Sequence, residues 1–154
     1  MGFSSKYTPN ADASLGFAFI RAYNLWHAEI KRSLLPHGIT HPQFVFLACT
    51  GFLLQKEEPV TQAMIAGFSD MDAMTVSQVA TLLERKHFIE RKPHPTDTRA
   101  KSIRLTEKGS KVLQKTLPIV ENVDQTFFSP LGKRQKLLLQ MLLELTTLSD
   151  TAQL

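Results

Sequence analysis

The sequence predicts a mainly α fold with a small antiparallel β-hairpin, arranged as one domain, and three observations predict it. Apolar residues recur at helical spacing through most of the 154-residue chain. Two short stretches, 88–92 and 102–105, alternate as strands do, and a polar segment joins them. The composition, 43% hydrophobic and 21% charged, is that of an ordinary globular domain and excludes disordered and fibrous classes.

The first helix is expected over about 12–35, with Leu15, Phe19, Ala22, Leu25, Trp26, Ile30 and Leu34 on its apolar stripe. Pro36 and Gly38 stop it. Thr40 as N-cap and Pro42 in the first turn open a second helix bearing Phe44, Leu47, Ala48 and Phe52, which Glu57, Glu58 and Pro59 end. Val60 suits a very short strand, and Thr61 caps a short helix through Phe68. After the turn 69–72, Asp72 caps a helix to about Lys86. That helix gathers Val76, Val79, Ala80 and Leu83 on one side and Ser77, Gln78, Thr81 and Arg85 on the other. Past the hairpin, Thr106 caps a long helix that runs beyond Pro118 toward Val123. A last helix, about 131–148, is apolar on most sides, with Leu137, Leu138, Leu139, Met141, Leu142, Leu143, Leu145 and Leu148. A surface helix of a monomer shows one apolar stripe, so this one is buried either in an internal bundle or against a partner; a chain of this length has little spare core, and the two ends are expected to build a dimer interface.

Charge adds the functional direction. The net charge is only +4, but residues 85–108 hold eight Lys or Arg against Glu90, Asp97 and Glu107, a local +5 that leaves −1 for everything else. Basicity concentrated on one element is what a phosphate-facing surface requires. A short helix, a turn, a longer helix with a polar outer face and a basic hairpin, in that order, make a winged helix-turn-helix. Ser77, Gln78 and Thr81 have the length and chemistry to reach base edges in a major groove. The hairpin tip beside them would lie at the neighbouring backbone and minor groove.

The runs V60-T-Q-A-M-I-A, T75-V-S-Q-V-A-T-L-L-E-R-K and I89-E-R-K-P-H-P-T-D-T-R-A-K-S-I-R-L-T-E-K-G resemble the MarR family of transcriptional regulators. The match is densest from Val60 to Gly109, and the wing Asp97-x-Arg99-Ala-Lys followed by Leu-Thr-Glu-Lys-Gly is its most specific part. The resemblance implies a single MarR-like domain over 1–154, with a winged DNA-binding region at about 40–108 and dimerisation helices at about 12–35 and 109–150. It implies a homodimer on a pseudo-palindromic duplex, commonly a repressor that a small phenolic or lipophilic effector releases. It also implies DNA-facing roles for Thr75, Ser77, Gln78, Thr81, Arg85, Arg99 and Lys101, with Arg99 reaching the minor groove and Asp97 bracing the wing. Two positions depart from the family pattern. His87-Phe88 stands where Gly-Leu is usual, and His tolerates the left-handed conformation of such a helix end better than most residues. Asp70 and Asp72 suit the dipole of the following helix but repel a phosphate placed there.

Other readings are weaker. Trp26, His27, Phe44 and Phe52 are candidates for an effector cavity, with plain core as the alternative. Cys49, the one cysteine, excludes an internal disulfide and sits among Phe46, Leu47 and Phe52 as an inert small hydrophobe. Five histidines lack an accompanying carboxylate or thiol cluster, so no metal and no cofactor is expected. A glycine-rich phosphate loop, a G-x-S-x-G motif and paired carboxylates are all missing, and no catalysis is expected. Met1-Gly2 opens like a myristoylation site, but Lys6 replaces the required hydroxyl residue. Neither a secretory leader nor a membrane span is read, so the expected location is the cytoplasm. The reading from a different class is a winged ligand-binding or protein-interaction module that no longer binds DNA.

Overall fold

The computed structural model describes residues 4–8, 10–56 and 59–151, with the side chains of 148–151 left out of the description. The expected helix stop at Glu57 and Glu58, the Met1-Gly2 start and the Leu148 side chain lie outside the described residues.

The chain begins with a 3-10 turn, Ala11–Ala13, and Ser14 then caps α1, Leu15–Leu34. The helix therefore starts on Leu15, the first residue of its apolar stripe and three residues after the expected boundary, because the Ser14 hydroxyl accepts the Phe17 N–H. A 3-10 turn ending on left-handed Gly38 leads to α2, His41–Leu53. Its N-terminus is a full capping box: the Thr40 hydroxyl accepts the Gln43 N–H, and the Gln43 side-chain carbonyl accepts the Thr40 N–H at 3.2 Å. Then come β1, Val60–Thr61; α3, Gln62–Ser69; α4, Ala73–Arg85; β2, Ile89–Pro93; and β3, Lys101–Leu105.

The sheet has three antiparallel strands in the order β1-β3-β2, so the expected hairpin gains a third strand. Val60 pairs with Ile103, and both are fully buried. This short strand fixes the wing to the front of the helix-turn-helix. The two C-terminal helices also differ from expectation. The fifth helix, α5, spans Glu107–Phe128, five residues past Val123, with Pro118 accommodated inside it. A 3-10 segment, Ser129–Arg134, kinks at Gly132, and α6 runs over Gln135–Thr151.

The core joins Ile30 and Leu34 of α1, Phe44, Phe46 and Leu47 of α2, Ile65 of α3, Val76, Ala80 and Leu83 of α4, and Ile89 and Ile103 of the wing. Its buried hydroxyls return to their own helices: Thr50 donates to the Phe46 carbonyl and Thr116 to that of Val112, each at 2.8 Å. Outside this core the apolar surface is unusual. Leu15, Phe19 and Leu25 on the first half of α1 are 59–83% exposed, and Leu137, Leu139, Met141, Leu143 and Leu145 of α6 are 53–65% exposed. Within the chain α6 packs chiefly on the 3-10 segment that precedes it.

Candidate nucleic-acid interface

Helix α4 is set by two local devices. At its start the Asp72 carboxylate accepts the Thr75 N–H at 2.8 Å and the Thr75 hydroxyl. Those bonds, the hydroxyl's foremost, hold the Asp72 carboxyl below its usual pKa. Thr75 is thus engaged in the cap, although the resemblance placed it toward DNA. At the other end His87 adopts φ 59 and the His87 and Phe88 N–H groups return to the Glu84 and Leu83 carbonyls at 2.9 Å. This is the Schellman ending, with Phe88 and Leu83 both buried beneath it. His87 does what glycine does at such a position.

Between these ends Val76, Val79, Ala80 and Leu83 are buried, while Ser77, Gln78 and Arg85 are exposed. Thr81 is half-buried, and its hydroxyl donates to the Ser77 carbonyl at 3.0 Å. Its proton is occupied, which leaves Thr81 only acceptor capacity outward. The turn before α4 contains Asp70 in the left-handed region, φ 54.

The wing tip, 94–100, is organised by two side chains. The Asp97 carboxylate accepts the Arg99 N–H at 2.9 Å, and the Asp97 carbonyl accepts the Ala100 N–H at 3.2 Å. His94 Nδ1 accepts the Thr96 and Asp97 N–H groups at 3.2 and 3.1 Å. This role of His94 went unread in the sequence, where only the His-before-turn placement hinted at it. Arg99 is exposed at the tip and Lys101 is exposed at the start of β3.

The basic segment does not act as one. Arg91 is mostly buried and its guanidinium binds the Glu84 carboxylate of α4, with Nε at 3.0 Å, and reaches the Gln62 side chain of α3 at 3.5 Å. The Arg91 hydrogen bonds are the main reason that Glu84 sits below the ordinary carboxylate range. One arginine thereby ties β2 to both helices of the helix-turn-helix. Lys92 pairs with Glu90 at 3.2 Å. Lys86 and Lys108 donate to backbone carbonyls of the chain, at 2.8 and 2.9 Å. Arg85 and Arg99 have side chains that make no ion pair or hydrogen bond among the described residues.

The expected effector residues do not gather in one place. Trp26 lines a groove of about 300 Å3 with Phe19, Tyr23, Phe127, Phe128 and Leu142. Its indole N–H donates to the Asp124 carboxylate at 2.7 Å. His27 stacks on Tyr23, and its Nδ1 lies 2.9 Å from Nδ1 of His41. Burial first, and the His27 neighbour second, lower the His41 pKa to about 4. Phe44, in contrast, is buried in the core. Phe52 stands near the far end of α2, half-exposed and stacked on Phe68 at 5.1 Å. The structure thus brings together two histidines from different helices, His27 of α1 and His41 of α2. Cys49 is buried, which pushes its thiol pKa up and makes it unreactive. Among the described residues there is no cluster of metal-ligating side chains, and no helix is long and apolar enough to cross a membrane.

The arrangement has known counterparts. The MarR family model matches residues 39–101. The uncharacterized HTH-type transcriptional regulator YdcH of Bacillus subtilis is 39% identical over 139 residues, covering 90% of this chain and 93% of its own. The chain belongs to the MarR family of transcriptional regulators. Solved structures repeat this MarR fold at lower identity. The repressor CouR of Rhodococcus jostii RHA1, bound to a 23-mer DNA duplex, superimposes with a TM-score of 0.78 at 23% identity, over 94% of this chain and 99% of its own. BpsR of Bordetella bronchiseptica, whose DNA binding is regulated by 6-hydroxynicotinic acid, gives 0.73 at 22% identity, over 86% and 98%.

Proposed function

We propose that this MarR-family regulator acts as a homodimer on an inverted-repeat duplex, with α4 in the major groove and the wing in the adjacent minor groove. The observation that carries this reading is the sorting of charge. Internal partners engage Lys86, Arg91, Lys92 and Lys108, while Ser77, Gln78 and Arg85 of α4 and Arg99 and Lys101 of the wing remain outward. Ser77 and Gln78 read base edges, Arg85 and Lys101 meet phosphates, and Arg99 enters the minor groove. Thr75 and Thr81 act behind them, one in the cap and one on its own helix. Repression is the expected outcome, since a dimer seated on a promoter occupies the polymerase's site, and the work is done in the cytoplasm, without catalysis.

Release by a small lipophilic effector is the second part of the reading. The groove beside Trp26 and Tyr23 is lined by α1, α5 and α6, and His27 of α1, stacked on Tyr23, links it to His41 at the start of α2. A ligand seated there changes how α1 and α5 meet. The response of BpsR to 6-hydroxynicotinic acid is behaviour of this kind in a protein of the same fold.

A gel shift on the DNA upstream of the protein's own gene, against random duplex and over a range of salt, tests the reading. Preference for the upstream duplex with steep salt dependence is expected. Absence of binding to any duplex at low salt would favour the module that has lost DNA, and equal binding to both would indicate a coating protein.

A further inference from the structure

The lysine that ends the recognition helix does not face outward. Lys86 is the C-cap of α4, and its Nζ donates to the Gly38 carbonyl at 2.8 Å and to the Gln43 side-chain carbonyl at 3.0 Å. Those acceptors are 48 and 43 residues away, at the corner where α1 turns into α2. Neither is adaptable. Gly38 holds its left-handed conformation, φ 69, and Gln43 is 97% buried with the same oxygen accepting the Thr40 N–H of the capping box. An ammonium held by a carbonyl and a buried amide oxygen, with one donor left, is poorly placed to neutralise a phosphate as well. The Lys86 carbonyl in turn accepts Lys108 Nζ at 2.9 Å, and that same ammonium lies over the Phe88 ring at 4.9 Å. Two lysines thus hold the C-terminal end of the recognition helix from both sides, one on the α1–α2 corner and one on the first turn of α5.

We propose that Lys86 is a positioning residue: its bond to Gly38 and Gln43 sets the pose of the recognition helix on the α1–α2 corner and carries movements of that corner to the DNA-reading face. The corner is itself linked to α1, because His41, two residues before Gln43, meets His27 at 2.9 Å. A shift of α1 against α2 therefore moves both acceptors of Lys86. The effect belongs to discrimination between sequences, since base contacts need the helix within a fraction of an ångström whereas phosphate contacts through long side chains do not.

The inference rests on the DNA-binding reading, and the experiment separates the two. The full-length protein first selects its preferred duplex from a random pool. Anisotropy titrations from 50 to 300 mM salt then compare that duplex with a random one for the parent, Lys86→Met and Gln43→Leu. The first variant keeps the aliphatic stem and removes the charge, and the second removes the acceptor without changing charge. Lys86→Met is expected to weaken binding to the selected duplex about tenfold, to leave random duplex within twofold, and to keep the parent's salt slope. Gln43→Leu should match it, and the double variant should lose no more than either single one. Should Gln43→Leu fail to fold, Lys86→Met alone decides. A loss shared by both duplexes, with a slope shallower by about one ion per protomer, would make Lys86 a phosphate contact and overturn the proposal. Unchanged binding to both duplexes would overturn it too. A parent that binds no duplex would instead remove the DNA-binding reading beneath it.

Discussion

Arg99 stands at the wing tip with its backbone N–H held by the Asp97 carboxylate, so the two residues have opposite charges and a shared task. A guanidinium in a narrow minor groove gains from the strong negative potential there, most of all over A·T-rich sequence. Arg99→Ala is expected to weaken binding on every duplex and to reduce the salt slope by about one ion per wing, read by titration in stepped salt. Asp97→Ala removes a negative charge, which net electrostatics alone would count as a gain for DNA affinity. Loss of the turn bond should outweigh that gain and weaken binding, whereas tighter binding would show that the wing acts through charge only. His41 gives a second residue-scale test, with a definite sign. Its imidazole has an ordinary pKa of 6.5 in the unfolded chain and about 4 in the fold, where burial and His27 oppose the cation. The start of α2, where His41 sits, opposes it further through the helix dipole. Between those values the unfolded chain binds a proton that the folded chain refuses, so stability falls as pH drops from about 6.5 to 4 and is level above. Urea midpoints measured from pH 4.5 to 8 should show this slope in the parent and a flatter one in His41→Gln. Equal slopes would mean that His41 keeps its charge in the fold.

At the scale of elements, the recognition helix was legible in the sequence because its determinants are local. Asp72 as cap, the Val76-Val79-Ala80-Leu83 stripe and the helix-ending His87 each act within four residues of where they stand. The wing strands were legible to within one residue for the same reason. What sequence could not show was which charges the fold consumes, since Lys86 and Arg91 find partners 48 and 29 residues away. Nor could it show that Phe52 parts company with Trp26, a matter of which end of α2 faces which neighbour. Gln78, exposed mid-helix and without a side-chain partner among the described residues, is expected to discriminate bases. Gln78→Ala should cost about 1–3 kcal/mol on the preferred duplex and little on random sequence, and a parallel loss on both would make it a general contact. The Leu-Thr-Glu-Lys-Gly run after the wing finds its physical reason at this scale. A Cβ on Gly109 would lie 1.9 Å from the Phe88 carbonyl oxygen, because α5 starts directly against the end of the α4 turn. Gly109→Ala is therefore expected to lower unfolding free energy by about 2–4 kcal/mol, since the obstacle is backbone and cannot rotate away. A denaturation midpoint within the error of the parent would mean that α5 shifts freely along the wing.

The whole molecule is two unlike halves. The winged half closes around a core whose described side chains leave no buried polar atom unsatisfied. The other half spreads apolar side chains into solvent from Leu15 to Leu25 of α1 and from Leu137 to Leu145 of α6, more than a single soluble chain normally exposes. The leucine-rich sequence pointed to a partner for this half, although the kink at Gly132 that breaks the chain between α5 and α6 was not readable there. In the proposed homodimer a second copy covers this half, the same surface meeting itself as in two-fold oligomers. Leu138 and Leu142 stand one turn apart on α6, half-buried along the groove with Phe128, so they occupy the inner edge of that surface. Placing Asp at both positions puts unpaired carboxylates where the partner helix would desolvate them, at a cost of several kcal/mol that separation relieves. Sedimentation at micromolar concentration should therefore give a dimer for the parent and a monomer or aggregate for Leu138→Asp/Leu142→Asp. The same variant should lose the preference for inverted repeats whose half-sites are centred about one helical turn apart, because two recognition helices reach successive major grooves only when the α1, α5 and α6 platform fixes their spacing. A monomeric parent, or a separated variant that still prefers that spacing, would place the origin of the symmetry outside these helices.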